Sequence, residues 1–319
     1  MSRSPGASVG GQAVLEGVMM RAPAAWAVAV RRPDGVIEAK SHELPRLASR
    51  SRWARIPFTR GVMVLVESMS LGFRALTWSA EKAGLEEGEE EISRPQIIGT
   101  MIVAAIVAIG LFALLPVFAA NWLTEDGSIA FVVLDGAIRI FLIVGYIWLI
   151  SRSKEIQRVF QYHGAEHKTI HAYEAGDPLT IESIQRYSPR HPRCGTSFLI
   201  LVGIVAFFVF LTITGLPFVW QVASRVLLIP VIAGLSYEVL KVADQVTWMS
   251  WASRPGLWLQ AITTKEPEDP MVEVAIASLL AALTDEQADE VRARGPVAAG
   301  ALNALVDLAE DGAGAADDG

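Results

Sequence analysis

The chain has 319 residues, 52% of them hydrophobic, a formal net charge of −7 and one cysteine. It has no basic stripe of the kind nucleic acid requires, and single Cys194 excludes an intramolecular disulfide and fits a reducing compartment. The apolar excess is gathered into runs too long for ordinary core helices, which argues against a soluble enzyme and for a membrane protein.

Residues 1–95 form the first block. The stretch Gly10–Arg21 is apolar and punctuated by glycine. Glu16 lies between Gly11 and Gly17, where backbone can approach closely, and reads either as a site residue or as a buried partner of an amide. Trp26–Arg32 and Val36–Glu43 are rich in β formers and flank Pro33-Asp34-Gly35, which predicts a β-hairpin. Thr59–Lys82 has the pattern of an amphipathic helix. Glu67, Arg74, Gly61 and Gly72 within it favour a helix lying along the membrane or docked beneath the spans over a fifth crossing. Glu86–Glu91 is a charged linker.

Residues 96–241 hold four expected spans: Ile97–Ala119, Ile129–Ile150, Ser197–Val219 and Val222–Leu240. Asp135 and Arg139 lie inside the second, four apart, as an intrahelical pair would. Arg225 opens the fourth, and Glu238, near its end, either snorkels or closes on a site from beneath. The loop 151–195 is rich in Lys and Arg, whereas Asn121–Ser128 has neither. Both termini and this loop are therefore expected in the cytoplasm of a plasma-membrane protein. No cleavable signal peptide is visible, because the first long apolar run begins near residue 97.

The loop carries the chemistry. Tyr162–Glu174 contains His163, His167 and His171 at a spacing of four, with Glu166 and Glu174 beside them. On a helix these five side chains fall within an arc of about 140°. Imidazoles and carboxylates converging on one face suit a divalent metal, zinc above all. The order His163-x-x-Glu166-His167 also spells the inverted zincin motif, in which the glutamate is a base and the histidines are ligands. The plain alternative is a polar face at the membrane surface. Gly176-Asp177-Pro178 ends the helix, Thr180–Arg186 is a second short one, and the Pro-rich turn Ser188–Gly195 offers His191 and Cys194 as further ligands. Residues 242–283 form a cytoplasmic segment with an interfacial stretch Trp248–Trp258 and a helix Met271–Leu283. Residues 284–319 read as an acidic, Ala-rich tail, disordered over its last ten residues.

Four blocks resemble the signature of a known family. They are Gly10–Arg21, Tyr162–Thr169, His191–Phe198 and Ser236-Tyr237-Glu238, and the likeness to the YqhQ-like family, the bacterial domain of unknown function 1385, runs from about Gly10 to Leu283. The resemblance implies a bacterial integral membrane protein from a family loosely labelled as metal-dependent enzymes, with no established reaction. Relatives often carry another polar residue near position 171, so the resemblance supports His163, Glu166, His167, His191 and Cys194 more than His171.

The sequence thus predicts an α-helical integral membrane protein of about four spans with a small N-terminal α+β cytoplasmic domain. The expected activity is metal-assisted hydrolysis. His163 and His167 would hold the ion, Glu174, His191 or Cys194 would complete its shell, and Glu166 would take the proton from water. A lipid-linked, peptide or membrane-protein substrate suits a site beside the bilayer. Two alternatives are a scaffold closed by structural zinc and a small transporter using Asp135, Arg139 and Glu238.

Overall fold

A computed structural model describes residues 9–44, 56–83, 94–125, 128–192, 194–245 and 254–308. The linker Glu86–Glu91, the first part of Trp248–Trp258 and the last ten residues lie outside the described residues. Four antiparallel strands, β1 (Gly10–Val14), β2 (Gly17–Arg21), β3 (Ala25–Arg31) and β4 (Ile37–Glu43), form a meander, and β5 (Leu305–Leu308) adds parallel to β4. The helices are α1 (Pro57–Ala83), α2 (Arg94–Ile109), α3 (Leu115–Leu123), α4 (Ile129–Ile150), α5 (Lys154–Ala175), α6 (Ile181–Gln185), α7 (Thr196–Leu211), α8 (Phe218–Leu227), α9 (Ile229–Gln245), α10 (Arg254–Thr263), α11 (Asp269–Ala282), α12 (Asp285–Ala293) and α13 (Ala299–Leu302). A π-helical turn, Gly110–Leu114, joins α2 to α3.

The β3–β4 hairpin stands where the turn signal placed it, with Gly35 at φ 85°. Gly10–Arg21 is also a hairpin, which its composition did not announce. Its two-residue loop holds Glu16 at φ 49°, a left-handed conformation that non-glycine residues rarely adopt. Strands β2 and β3 are apolar on both faces because both are covered. Val18, Met20, Ala27, Ala29 and Ala39 pack against α11 and α5, and the small alanines let α11 lie close. Met19, Trp26, Val28 and Val30 pack against Leu71 and Ala75 of α1. Helix α1 is thus docked, and its two charges serve the sheet. Glu67 accepts from Arg21 at 2.8 Å, and the Arg74 guanidinium lies over the Trp26 ring.

The sequence blocks merge in space. β5, α11 and α5 complete the core that the N-terminal strands begin, so residues read as three separate segments build one α+β domain. The stretch read as a tail beyond Thr284 is ordered as far as residue 308. Thr284 caps α12 through a capping box, and β5 closes the sheet edge.

The apolar region is smaller than the expected four spans. Ile102–Leu123 and Ile129–Ile150 are long and apolar enough to cross a membrane. The pair α8–α9 qualifies only if its 55° bend is counted within one span. Helix α7 has 16 residues, about 24 Å, against a hydrocarbon core of about 30 Å. Among the described residues the chain therefore has two to three helices of spanning character, which fits membrane association. Gly215, Pro217 and the bend near Leu228 interrupt what hydropathy reads as continuous runs.

Candidate metal centre

Helix α5 is amphipathic in an unusual sense, since one side enters the α+β core through Tyr162, Ala165, Ile170 and Ala172 while the other carries the histidines. Gly164 makes the fit possible. A Cβ there would lie 2.0 Å from the Lys265 carbonyl oxygen, so the segment following α10 rests directly on α5. That segment is fixed by Lys265 N–H donating to Phe160 O at 3.0 Å. It sets the Thr263 carbonyl against His163, whose Nδ1–H donates to it at 2.9 Å. His167 Nδ1–H donates to the Pro189 carbonyl at 2.6 Å. A carbonyl only accepts, so each ring carries a proton on Nδ1, which leaves Nε2 as the nitrogen available to a ligand. This is the outer hydrogen bond that orients ligating histidines.

The turn Ser188–Gly195 delivers the third donor. His163 Nε2 lies 3.2 Å from Cys194 Sγ, and His163, His167 and Cys194 each offer a ligand atom within 4.8 Å of the others. Cys194 sits just ahead of α7, and the Thr196 amide donates to its sulfur, with the Thr196 hydroxyl 3.2 Å away. A helix N-terminus and such donors favour a thiolate. In the protein without an ion, burial pushes the Cys194 thiol up against these contacts. Burial, with the neighbouring His163, drives His167 down to about 2, so that its imidazole is neutral. Burial likewise pushes Glu166 up to about 8, opposed by His163 and by the Gly11 amide that donates to it. Gly11 is required there, because a Cβ would lie 2.4 Å from the Met19 carbonyl oxygen and 3.2 Å from the Glu166 carboxyl carbon.

The donor set fits zinc. Two neutral imidazoles and a thiolate are zinc ligands, and tetrahedral bonds of about 2.0–2.3 Å need donors roughly 3.5 Å apart, a small side-chain adjustment from this arrangement. His167 Nε2 and Glu166 Oε2 are buried with no hydrogen-bond partner among the described residues, which is costly unless something else satisfies them. Glu166 is not part of the three-donor group, so it stands beside the ligands.

The other expected site residues fall elsewhere. His191 Nε2 lies 3.8 Å from a Glu174 carboxylate oxygen, and the His171 ring packs against His191 and Tyr187 with its Nε2 3.0 Å from Arg190 O. These three border the cluster without joining its donor group. Glu16 pairs with Arg158 and accepts from Tyr162, so its partners are side chains of α5 and not an amide. Glu238 pairs with Arg60 of α1 at 2.6 Å and so neither snorkels nor closes on the histidines. Asp135 accepts from Arg139, as the spacing predicted, and also from Arg225 of α8 at 2.9 Å. Sequence reasoning missed Gln260, which clasps the backbone of His191 by donating to its carbonyl and accepting from its amide, both at 2.9 Å. It also missed Thr263, whose contribution is a carbonyl and leaves no trace in residue type. Gly164, inside the motif, was the readable sign that another backbone comes close.

The sequence pattern of the family described as "Protein of unknown function (DUF1385)" matches residues 56–285. The chain belongs to this family. It is 38% identical over 288 residues to the "Uncharacterized protein YqhQ" of Bacillus subtilis (strain 168), covering 84% of this chain and 90% of that protein. No solved structure matches.

Proposed function

We propose that this DUF1385 protein is a membrane-bound zinc hydrolase whose ion is held by His163, His167 and Cys194. The observation that carries the reading is the gathering of His163, His167 and Cys194, with one ligand atom of each within 4.8 Å of the others and both rings anchored at Nδ1 by the Thr263 and Pro189 carbonyls. Zinc supplies Lewis acidity that readies water for attack and polarises a carbonyl or phosphoryl oxygen. Three protein donors leave one position for substrate or water. Glu166, beside the donors with Oε2 unpartnered, would ionise beside the bound cation despite the burial that raises it to about 8, and as a carboxylate it would accept the proton of the attacking water and hand it to the leaving group. The Gly11 amide and the β1 backbone hold that carboxylate in place. Cys194 lies two residues before an apolar helix, which suits a lipid-linked, peptide or membrane-protein substrate at the bilayer surface.

The test uses the detergent-purified full chain. Glu166→Gln is expected to keep zinc at the wild-type ratio and to abolish hydrolysis across ester, amide and phosphoester probes, because an amide cannot take the proton. Loss of zinc in this variant would make Glu166 a ligand. That result would favour the second reading, a scaffold with a closed structural site, which the near-complete burial of Glu166 and His167 also suits. Gly164→Ala, by pushing away the Lys265 carbonyl and with it the segment that carries the Thr263 carbonyl to His163, is expected to weaken zinc affinity roughly 10–100-fold in a chelator competition. Wild-type affinity would mean that the orienting bond contributes nothing.

We also infer that the site and both flanking blocks face the cytoplasm. β5 pairs with β4, and α5 packs on β1, so residues 10–43, 154–175 and 305–308 share one side of any bilayer. Crossings between them are then even in number. α2–α3 and α4 cross as a pair, and α7 and α8–α9 either both cross, giving four spans, or together enter and leave from the same side. Lys and Arg in the 151–195 loop set that side as the inside. Cys194 should resist an impermeant thiol reagent on intact spheroplasts, and a cysteine at Ser128 should react. A cysteine at Gly215 reports whether the second pair crosses. Labelling of Cys194 from outside would contradict the orientation.

A further inference from the structure

We propose that Glu174, His191 and His171 form an outer capture site that takes a divalent cation from solvent and passes it to His163, His167 and Cys194. This rests on the metal reading above and adds the route by which the ion arrives.

Two of the three inner donors are enclosed, and the third, His163, is partly exposed. His167 is 1% exposed and Cys194 9%. The Lys265 segment packs on α5 beside His163, β1 packs beside Glu166, and Cys194 leads into apolar α7. A bare divalent ion does not cross packed protein, because losing its hydration without replacement ligands costs far more than folding provides. It must move by exchanging ligands one at a time. The polar edge of the cluster supplies such steps. Glu174 is about one-third exposed, and its carboxylate lies 3.8 Å from Nε2 of buried His191. The His191 ring is 4.5 Å from His171 and 5.6 Å from His167, and His167 is 4.4 Å from His163. Carboxylate, imidazole, imidazole, thiolate is a run from harder to softer donors, so each step inward favours zinc over magnesium or calcium. Gln260 clasps the His191 backbone at both its polar atoms, which holds the middle of the route in register.

The experiment follows Co²⁺ uptake by the metal-stripped full chain in detergent, using the thiolate-to-cobalt absorption band that only the Cys194 site produces. His191→Ala and Glu174→Gln are expected to slow the rise of the band by about tenfold, on the scale by which outer partners alter metal sites, and to leave its final amplitude unchanged. Cobalt removal by a chelator should slow by the same factor in each variant. Uptake at the wild-type rate in both variants overturns the capture site. A reduced final amplitude in His191→Ala also overturns it, because His191 would then be a ligand of the inner ion. Absence of the band in the unmutated protein would defeat the metal reading itself, a failure distinct from an unchanged rate.

Discussion

Asp135→Ala is expected to destabilise the protein by about 3–5 kcal/mol, the cost of leaving a buried charge without its partner. Asp135 and Arg225 are each 1% exposed at their side chains and lie 2.9 Å apart, joining α4 to α8 within the apolar bundle. Arg139 shares the same carboxylate, and Arg225 also stacks over Phe210 at 4.0 Å. Removing the one anion leaves two guanidiniums in an apolar layer with no second carboxylate paired to them among the described residues. Thermal unfolding in detergent reads the effect. The double variant Asp135→Leu, Arg225→Met should recover part of the loss, because an apolar replacement of a buried pair avoids the desolvation penalty. A change within about 0.5 kcal/mol, the range of ordinary surface substitutions, would mean that the bundle is hydrated at this point.

His167→Ala is expected to abolish stoichiometric zinc, whereas His171→Ala should leave it at the wild-type ratio. The two residues are one helical turn apart and equivalent in the sequence pattern. They differ in what surrounds them. His167 belongs to the donor group and has a buried, unpartnered Nε2, while His171 turns its Nε2 to the Arg190 carbonyl and its ring to Tyr187. Metal analysis of the two purified variants separates a specific centre from a general histidine-rich surface, on which both substitutions would act alike.

Periodicity and turn chemistry made much of this legible. The β3–β4 hairpin, helices α1, α4, α5 and α11, and the convergence of His163 and His167 with Cys194 follow from residue types and their spacing. What escaped was set by distant backbone. The spacing of four cannot say that His171 stays outside the donor group, because the Arg190 carbonyl that takes its Nε2 belongs to a turn nineteen residues on. Glu16 lies among glycines that suggest a site, yet its partner Arg158 comes from α5. The strand β5 sits in an Ala- and Gly-rich stretch with no alternation, and only pairing with β4 orders it. Hydropathy sums composition and reads α7 and α8–α9 as two further spans, whereas helix length and the 55° bend leave two helices of spanning character, or three with the bent pair counted as one.

X-ray absorption at the zinc edge of the zinc-loaded full chain tests the metal centre most directly. The expected spectrum has one sulfur and two imidazole nitrogens around the ion at about 2.3 and 2.0–2.1 Å, with the sulfur lost in Cys194→Ser. A shell without sulfur in the unmutated protein, or a chain that retains no zinc, would contradict the assignment of His163, His167 and Cys194 as ligands.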